Sequence, residues 1–296
     1  MTTVGGAGSA FRSDINGLRA WALVAVVLYH FGVPGFGGGF VGVDVFFAIS
    51  GFLMTGIVVR GLARGDFSLL DFYLARARRI VPALAALCAL LLAAGWSLLL
   101  PPDYQLLAGH ALYSLAFVSN IAFWREAGYF DIASHDKWLL HTWSLSVEWQ
   151  FYLLLPIVLW CAWRLSAGQR SQRLTVLALA LASLAASLGL SAGYPGMAFY
   201  LLPTRAWEML AGGLVFLFIA PDALPPACRR LLEVAGIAAI VASVGLFDAS
   251  AAWPGWRAQT IKAGSSAHKT MATKVALARG QRCAARRRRA PCSIQA

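Results

Sequence analysis

The sequence predicts an all-α fold, a polytopic bundle of transmembrane helices. Hydrophobic residues make up 59% of the 296, charged residues only 13%, and the mean hydropathy is +0.66. A water-soluble domain carries about a quarter charged residues. Apolar runs of about 20 residues, the length that crosses a bilayer as a helix, recur along the chain. They are rich in Leu, Ala, Val and Phe and lack the strict alternation of barrel strands.

Seven runs read as spans: 18–33, 40–59, 80–100, 141–163, 174–193, 204–220 and 231–249. The first has Arg19 at its start, His30 near its end and no small-residue cleavage site after it, so it reads as an uncleaved span. An eighth run, 106–124, is interrupted by His110, Ser114, Ser119 and Asn120 and bounded by Arg125. Basic residues concentrate in cytoplasmic loops, and that rule separates two topologies. With the N-terminus inside and 106–124 not crossing, the inside loops 60–79, 164–173 and 221–230 hold five, three and two arginines. The outside loops then hold only Arg125 and Lys137. If 106–124 crossed, Arg164, Arg170, Arg173, Arg229 and Arg230 would all fall outside. A re-entrant or interfacial segment is therefore expected, with its backbone buried in protein or lining a cavity.

The net charge of +12 comes mostly from one end. Residues 257–296 hold ten Lys or Arg and no acid, including Arg286-Arg287-Arg288-Arg289. This stretch has no interleaved aromatics, so no nucleic-acid partner is expected. The composition changes abruptly after Trp253-Pro254-Gly255-Trp256. The expected organisation is a cytoplasmic segment 1–16, an incomplete transmembrane domain 17–250, and a basic tail 251–296 that is disordered or frameshifted. Five cysteines show neither a disulfide framework nor zinc-ligand spacing, and no metal is expected.

Ionisable residues within spans are costly and point to function. Arg19 and His30 are eleven residues apart, which leaves them about 20° from full register on one helix face and about 16 Å apart along its axis. An interfacial guanidinium suits a phosphate, and a histidine in a low-polarity pocket suits a general base. A snorkelling anchor and a helix-end hydrogen bond are the structural alternatives. Arg76 and Arg79, in the run FYLARARRIVPA, share a face just before a span and suit a polyphosphate or plain positive-inside topology. In HTWSLSVEWQFY, residues His141, Ser144, Glu148 and Tyr152 form one stripe. A catalytic triad needs side chains converging from different directions, so Glu148 reads as a pocket carboxylate that orients a charged or hydroxylic partner. Asp44 follows the glycine-rich stretch 35–39, and Ser50 lies in the same span. Asp44 has interfacial solvation as its structural alternative. Arg205 and Glu208 read as an i, i+3 ion pair. Ser50, Ser144 and backbone N–H groups are all candidates for an oxyanion donor.

Four motifs in order over about 1–215 resemble the acyltransferase 3 family. FRSDINGLRAWALVAVVLYHFG is similar to its first span, with the basic-x10-His signature. GGFVGVDVFFAISGFL resembles its second span and RARRIVPA its R-x-x-R segment. LLHTWSLSVEWQFYLLLP resembles a further hallmark, above all of members fused to an SGNH hydrolase-like domain. The resemblance implies a multi-pass enzyme of the bacterial inner membrane, N-terminus in the cytoplasm. Such enzymes move an acyl group, often acetyl, from cytoplasmic acyl-CoA to a hydroxyl of a glycan or lipid-linked sugar. Acceptors in the family include lipopolysaccharide, exopolysaccharide and peptidoglycan. Acyl-CoA, with acetyl-CoA foremost, is then a donor substrate, and no resident cofactor is implied. By motif, His30 is the implied catalytic base, Arg19, Arg76 and Arg79 serve the donor, and Glu148 is a characteristic carboxylate. Family members resemble a ten-span domain, whereas the spans here stop at about 249. An inactive fragment and a polytopic transporter lined by the same groups are the competing expectations.

Overall fold

A computed structural model of the chain describes residues 13–127, 137–165, 169–219 and 225–247. The expected tail 251–296 lies outside these residues. Ten α-helices and one short 3-10 turn, with no strand, make up the secondary structure among them. In order they are α1 (Ser13–His30), the turn Gly39–Val41, α2 (Gly42–Arg64), α3 (Leu69–Leu98), α4 (Pro101–Leu115) and α5 (Ser119–Glu126). Then come α6 (Thr142–Leu165), α7 (Gln169–Ser191), α8 (Pro195–Tyr200), α9 (Leu202–Phe218) and α10 (Pro226–Leu246).

Five helical segments are long and apolar enough to cross a bilayer: Gly39–Arg64, Leu69–Leu98, Thr142–Leu165, Gln169–Ser191 and Pro195–Phe218. The protein is a multi-pass membrane helical bundle. The other two expected spans are helical as well, but polar residues dilute their hydropathy: Asp14, Asn16 and Arg19 in α1, and Arg229, Arg230 and Glu233 in α10. Outward-facing Leu87, Leu90, Leu181, Leu232 and Ile237 give the bundle an apolar exterior. The third span differs from expectation. It begins at Leu69 rather than near residue 80, because Ser68 caps the helix by accepting from the Asp71 N–H (3.2 Å). Arg76, Arg78 and Arg79 therefore sit on α3 itself and not before it.

Run 106–124 is not one helix. It breaks at Phe117, whose φ of +55° is left-handed, so the chain turns between α4 and α5. At 15 residues, α4 is about 22 Å long, short of the roughly 30 Å hydrocarbon core. Polar bonds to α6 hold the pair in place. Thr142 donates to the Leu139 carbonyl (2.8 Å) and meets the hydroxyls of Ser114 (2.7 Å) and Ser119 (3.0 Å), and Ser119 meets Ser146 (2.8 Å). Asn120 and Gln150 pair amide to amide (2.8 Å), and Gln150 also donates to the Phe117 carbonyl (2.9 Å). The turn that a bulky L-residue disfavours is thereby held by its own carbonyl.

The deepest packing joins α2, α6, α7 and α9 through Phe47, Val58, Trp143, Leu159, Val176 and Met209. Small residues let α2 and α9 meet backbone to backbone. A Cβ on Gly51 would overlap the Met209 carbonyl, and one on Gly212 the Ala48 carbonyl. Gly39 and Gly42 do the same for α1, against the carbonyls of Ala25 and Ala22. Close approach of this kind is how membrane helices associate where water supplies no driving force between them. Gly212→Val should force α2 and α9 apart and cost about 1–3 kcal/mol. Thermal melting in detergent measures it. Gly189→Ala, with nothing near its Cβ position, serves as a control that keeps or raises the melting point.

Candidate functional site

One cavity of about 1140 Å³ opens among α1, α2, α6 and α9. Its wall includes Arg19, His30, Asp44, His141, Ser144 and Glu148, six residues singled out from the sequence. Arg19 and His30 thus face the same space from one helix, as their spacing requires. Arg19 lies 5.9 Å from the centre of the Phe46 ring.

His30 is held by its own helix. Its Nδ1 lies 2.7 Å from the Val26 carbonyl oxygen, one turn back. A carbonyl only accepts, so Nδ1 carries the hydrogen, and the neutral ring keeps its lone pair on Nε2. The His141 ring packs on it edge to face, with centroids 4.4 Å apart and planes at 87°. His141 precedes the first turn of α6, and the buried Thr142 beside it is the residue fixed by Ser114 and Ser119. Desolvation by the surrounding protein, then the nearby His30, push the His141 imidazole below its ordinary value.

Glu148 reaches the cavity from the next turns of α6. Its Oε1 accepts from the hydroxyls of Ser50 and Tyr152. Ser50 is buried and does not line the cavity. It acts on the carboxylate from behind. Ser144 donates to the His141 carbonyl (3.2 Å). Arg76 is half-buried, while Arg79 is exposed. Neither arginine lines the cavity. Among the described residues the buried Nε–H of Arg76 has no protein acceptor. The hydroxyl of Tyr73, one turn earlier on α3, donates to the Leu153 carbonyl (2.8 Å) and fixes α3 against α6.

Asp44 is not merely solvated at an interface. It pairs with Arg205 of α9 (2.5 Å), which also meets Glu208 (3.1 Å). Arg205 is 1% exposed, and the rings of Phe47, Trp143 and Phe199 surround its guanidinium, each centroid 5.6 Å away. The ion pair expected within α9 is therefore a cross-helix cluster forming part of the cavity wall. Sequence reasoning also missed Lys137, which lines the cavity and pairs with Glu126 (3.2 Å), itself paired with His110 (3.0 Å). For the docking of α4 and α5 on α6, the overlooked signal was the second polar stripe of α6, Thr142, Ser146 and Gln150 at i, i+4 and i+8, matched to the polar residues of 106–124.

With this geometry established, comparison with known proteins places the chain in a class. Residues 12–264 match the acyltransferase 3 family model, described as an acyltransferase domain, and the chain belongs to that family. BcsY of Komagataeibacter xylinus, named provisionally as a membrane-bound transacylase, is 34% identical over 83% of this chain and 61% of its own length. The peptidoglycan O-acetyltransferase OatA of Listeria monocytogenes is 31% identical over 80% of this chain and 39% of its own. The O-acetyltransferase OatA of Staphylococcus aureus is 29% identical over 80% and 40%. The chain thus spans about three fifths of BcsY and two fifths of the OatA proteins. No solved structure matches it.

Removing the Arg205 charge leaves Asp44 and Glu208 facing each other without compensation. Arg205→Leu should cost about 3–5 kcal/mol, the usual penalty for breaking a buried pair from one side. Adding Asp44→Asn and Glu208→Gln should recover much of the loss in a detergent melting assay.

Proposed function

We propose that the protein is a membrane O-acyltransferase that moves an acyl group, acetyl in the first instance, from acyl-CoA to a hydroxyl of a cell-envelope glycan. The observation that carries this reading is the shared cavity of Arg19 and His30, with the His30 Nδ1–H tied to Val26 so that Nε2 is left as a base. Peptidoglycan is the acceptor class favoured here, because the OatA of Listeria is named for it. The bacterial inner membrane, with the N-terminus in the cytoplasm, is the proposed location, on the loop charges given above.

The chemistry needs three things from the chain: a hold on a long anionic donor, a base, and a dry path between them. CoA carries its phosphates at one end and its thioester on a thin arm. Arg76, with an unused Nε–H, and the exposed Arg79 suit the phosphates, and Arg19 suits the stretch nearer the cavity. At the far end the acceptor O–H bond breaks as its proton passes to His30 Nε2, and the oxygen attacks the thioester carbonyl. The tetrahedral intermediate collapses, the C–S bond breaks, and the thiolate leaves with the electron pair and takes up the proton. Glu148, tied by Ser50 and Tyr152, lines the same cavity as His30, where its carboxyl group is available to steady the imidazolium as it forms.

The test uses the full chain in membrane vesicles, radiolabelled acetyl-CoA and O-deacetylated peptidoglycan fragments. Label should enter the glycan as an alkali-labile ester, and His30→Ala should lower the rate by at least about 10²–10⁴-fold, the usual worth of a general base. Undiminished transfer by that variant removes His30 from the role, and no ester formation by the wild-type chain sinks the reading itself.

Arg76→Ala should raise the KM for acetyl-CoA, with a smaller rise for Arg79→Ala. Losing a charged hydrogen bond costs about 1.5–3 kcal/mol, so a shift of roughly ten- to a hundredfold is expected at Arg76. Unchanged KM values in both would return the pair to topology alone.

A further inference from the structure

An acyl transfer needs a hydrogen-bond donor where the thioester carbonyl oxygen becomes negative. The sequence left Ser50, Ser144 and backbone N–H groups as candidates. The structure engages both serine hydroxyls and two of the nearby N–H groups elsewhere. Ser50 donates to Glu148, and Ser144 donates to the His141 carbonyl. The Thr142 and Trp143 N–H groups donate to the Leu139 and Leu140 carbonyls (3.0 and 3.1 Å). Arg205 is ion-paired with Asp44 and Glu208, and three aromatic rings surround its guanidinium.

We propose that His141 is the oxyanion donor of this site, a catalytic residue that works beside His30 through its ring N–H. This inference rests on the acyl-transfer reading above. The attacking oxygen and the carbonyl oxygen are bound to one carbon in the tetrahedral intermediate, so base and oxyanion donor must be near neighbours. The base sits about 2.6–3.2 Å from the first oxygen. The donor sits about 2.7–3.1 Å from the second. Two imidazoles in ring contact, both opening on the same cavity, meet that requirement. Among the described residues neither ring nitrogen of His141 has a hydrogen-bond partner in the protein.

A neutral imidazole keeps one N–H in either tautomer, so His141 donates without being charged. Its lowered proton affinity favours that form. Neutrality matters here, because a charged His141 would oppose the positive charge that His30 gains on taking the acceptor proton. The other charged groups of the wall are Arg19, Asp44, Lys137, Glu148 and Arg205. Position is secured by the rigid start of α6, where the buried Thr142 next to His141 is bonded to both α4 and α5.

The experiment compares His141→Leu, which has no donor, with His141→Gln, whose amide N–H can take the same place, in the vesicle assay with acetyl-CoA and peptidoglycan fragments. His141→Leu should lower kcat about 10²–10³-fold, the usual worth of one oxyanion donor, with the KM for acetyl-CoA unchanged. His141→Gln should restore most of that rate and keep the acid limb of the pH profile, because titration of His141 is not what the reaction uses. If the Leu variant does not fold, His141→Ala takes its place. Wild-type kcat without a donor at this position, Gln and Leu variants that are equally slow, or a Gln variant that loses the acid limb would each overturn the assignment. His30→Ala is run in parallel. Activity there sinks the base assignment, whereas an inactive His30→Ala beside an unimpaired His141→Leu fells only the present inference.

Discussion

Helices α2 and α9 touch along their backbones, and the remaining structure is arranged around that contact. Gly51 and Gly212 bring the main chains closer than any side chain would allow. At that separation Asp44 on one helix reaches Arg205 on the other, and Glu208 closes the group from one turn further on. Buried charges persist only when paired, and the Arg205 guanidinium lies between the two carboxyl groups, with three aromatic rings around it. The cluster forms one wall of the cavity. The glycines at 39 and 42 then dock α1 on the start of α2, which carries Arg19 and His30 to the same space. Gly38, Gly39 and Gly42 therefore act through contact distance, whereas Gly35 takes a left-handed turn with open space at its Cβ position.

Helix α6 serves two environments at once. Ser144 and Glu148 look into the cavity, while Thr142, Ser146 and Gln150 meet α4 and α5. Each polar face has a partner, which is the condition for keeping so many hydroxyls and amides out of water. The result is that the first turn of α6, and His141 just ahead of it, is held from behind by a dense set of short bonds. Catalytic groups that must sit within a fraction of an ångström benefit from a support of this kind.

Much of this was legible in the chain. Apolar run length located every long helix, and the eleven-residue spacing put Arg19 and His30 on one face. The polar interruptions in 106–124, weighed with loop charge, indicated a segment that is not a simple span, and it is broken at Phe117. What could not be read was pairing between distant elements. Asp44 and Arg205 are 161 positions apart, and nothing local to either announces the other. Ser50 was a candidate for the wrong surface, because whether a small hydroxyl faces a cavity or a neighbouring carboxylate depends on helix rotation. The start of α3 was placed too late because amphipathic Arg-rich turns lower the local hydropathy without ending the helix. Lys137, in a short connection between helices, gave no periodic signal at all.

The two-helix insert α4–α5 also has a consequence for how such a chain is made. Its serines Ser114 and Ser119, and Asn120, find partners on α6, which lies later in the chain. During synthesis those groups emerge first and have nothing to bond with except water or lipid headgroups. These groups are satisfied within the protein only once α6 offers its polar face, so the contacts of the insert close after its own residues have been made. The wall of the cavity that α6 carries is thus tied to contacts between segments far apart in the order of synthesis.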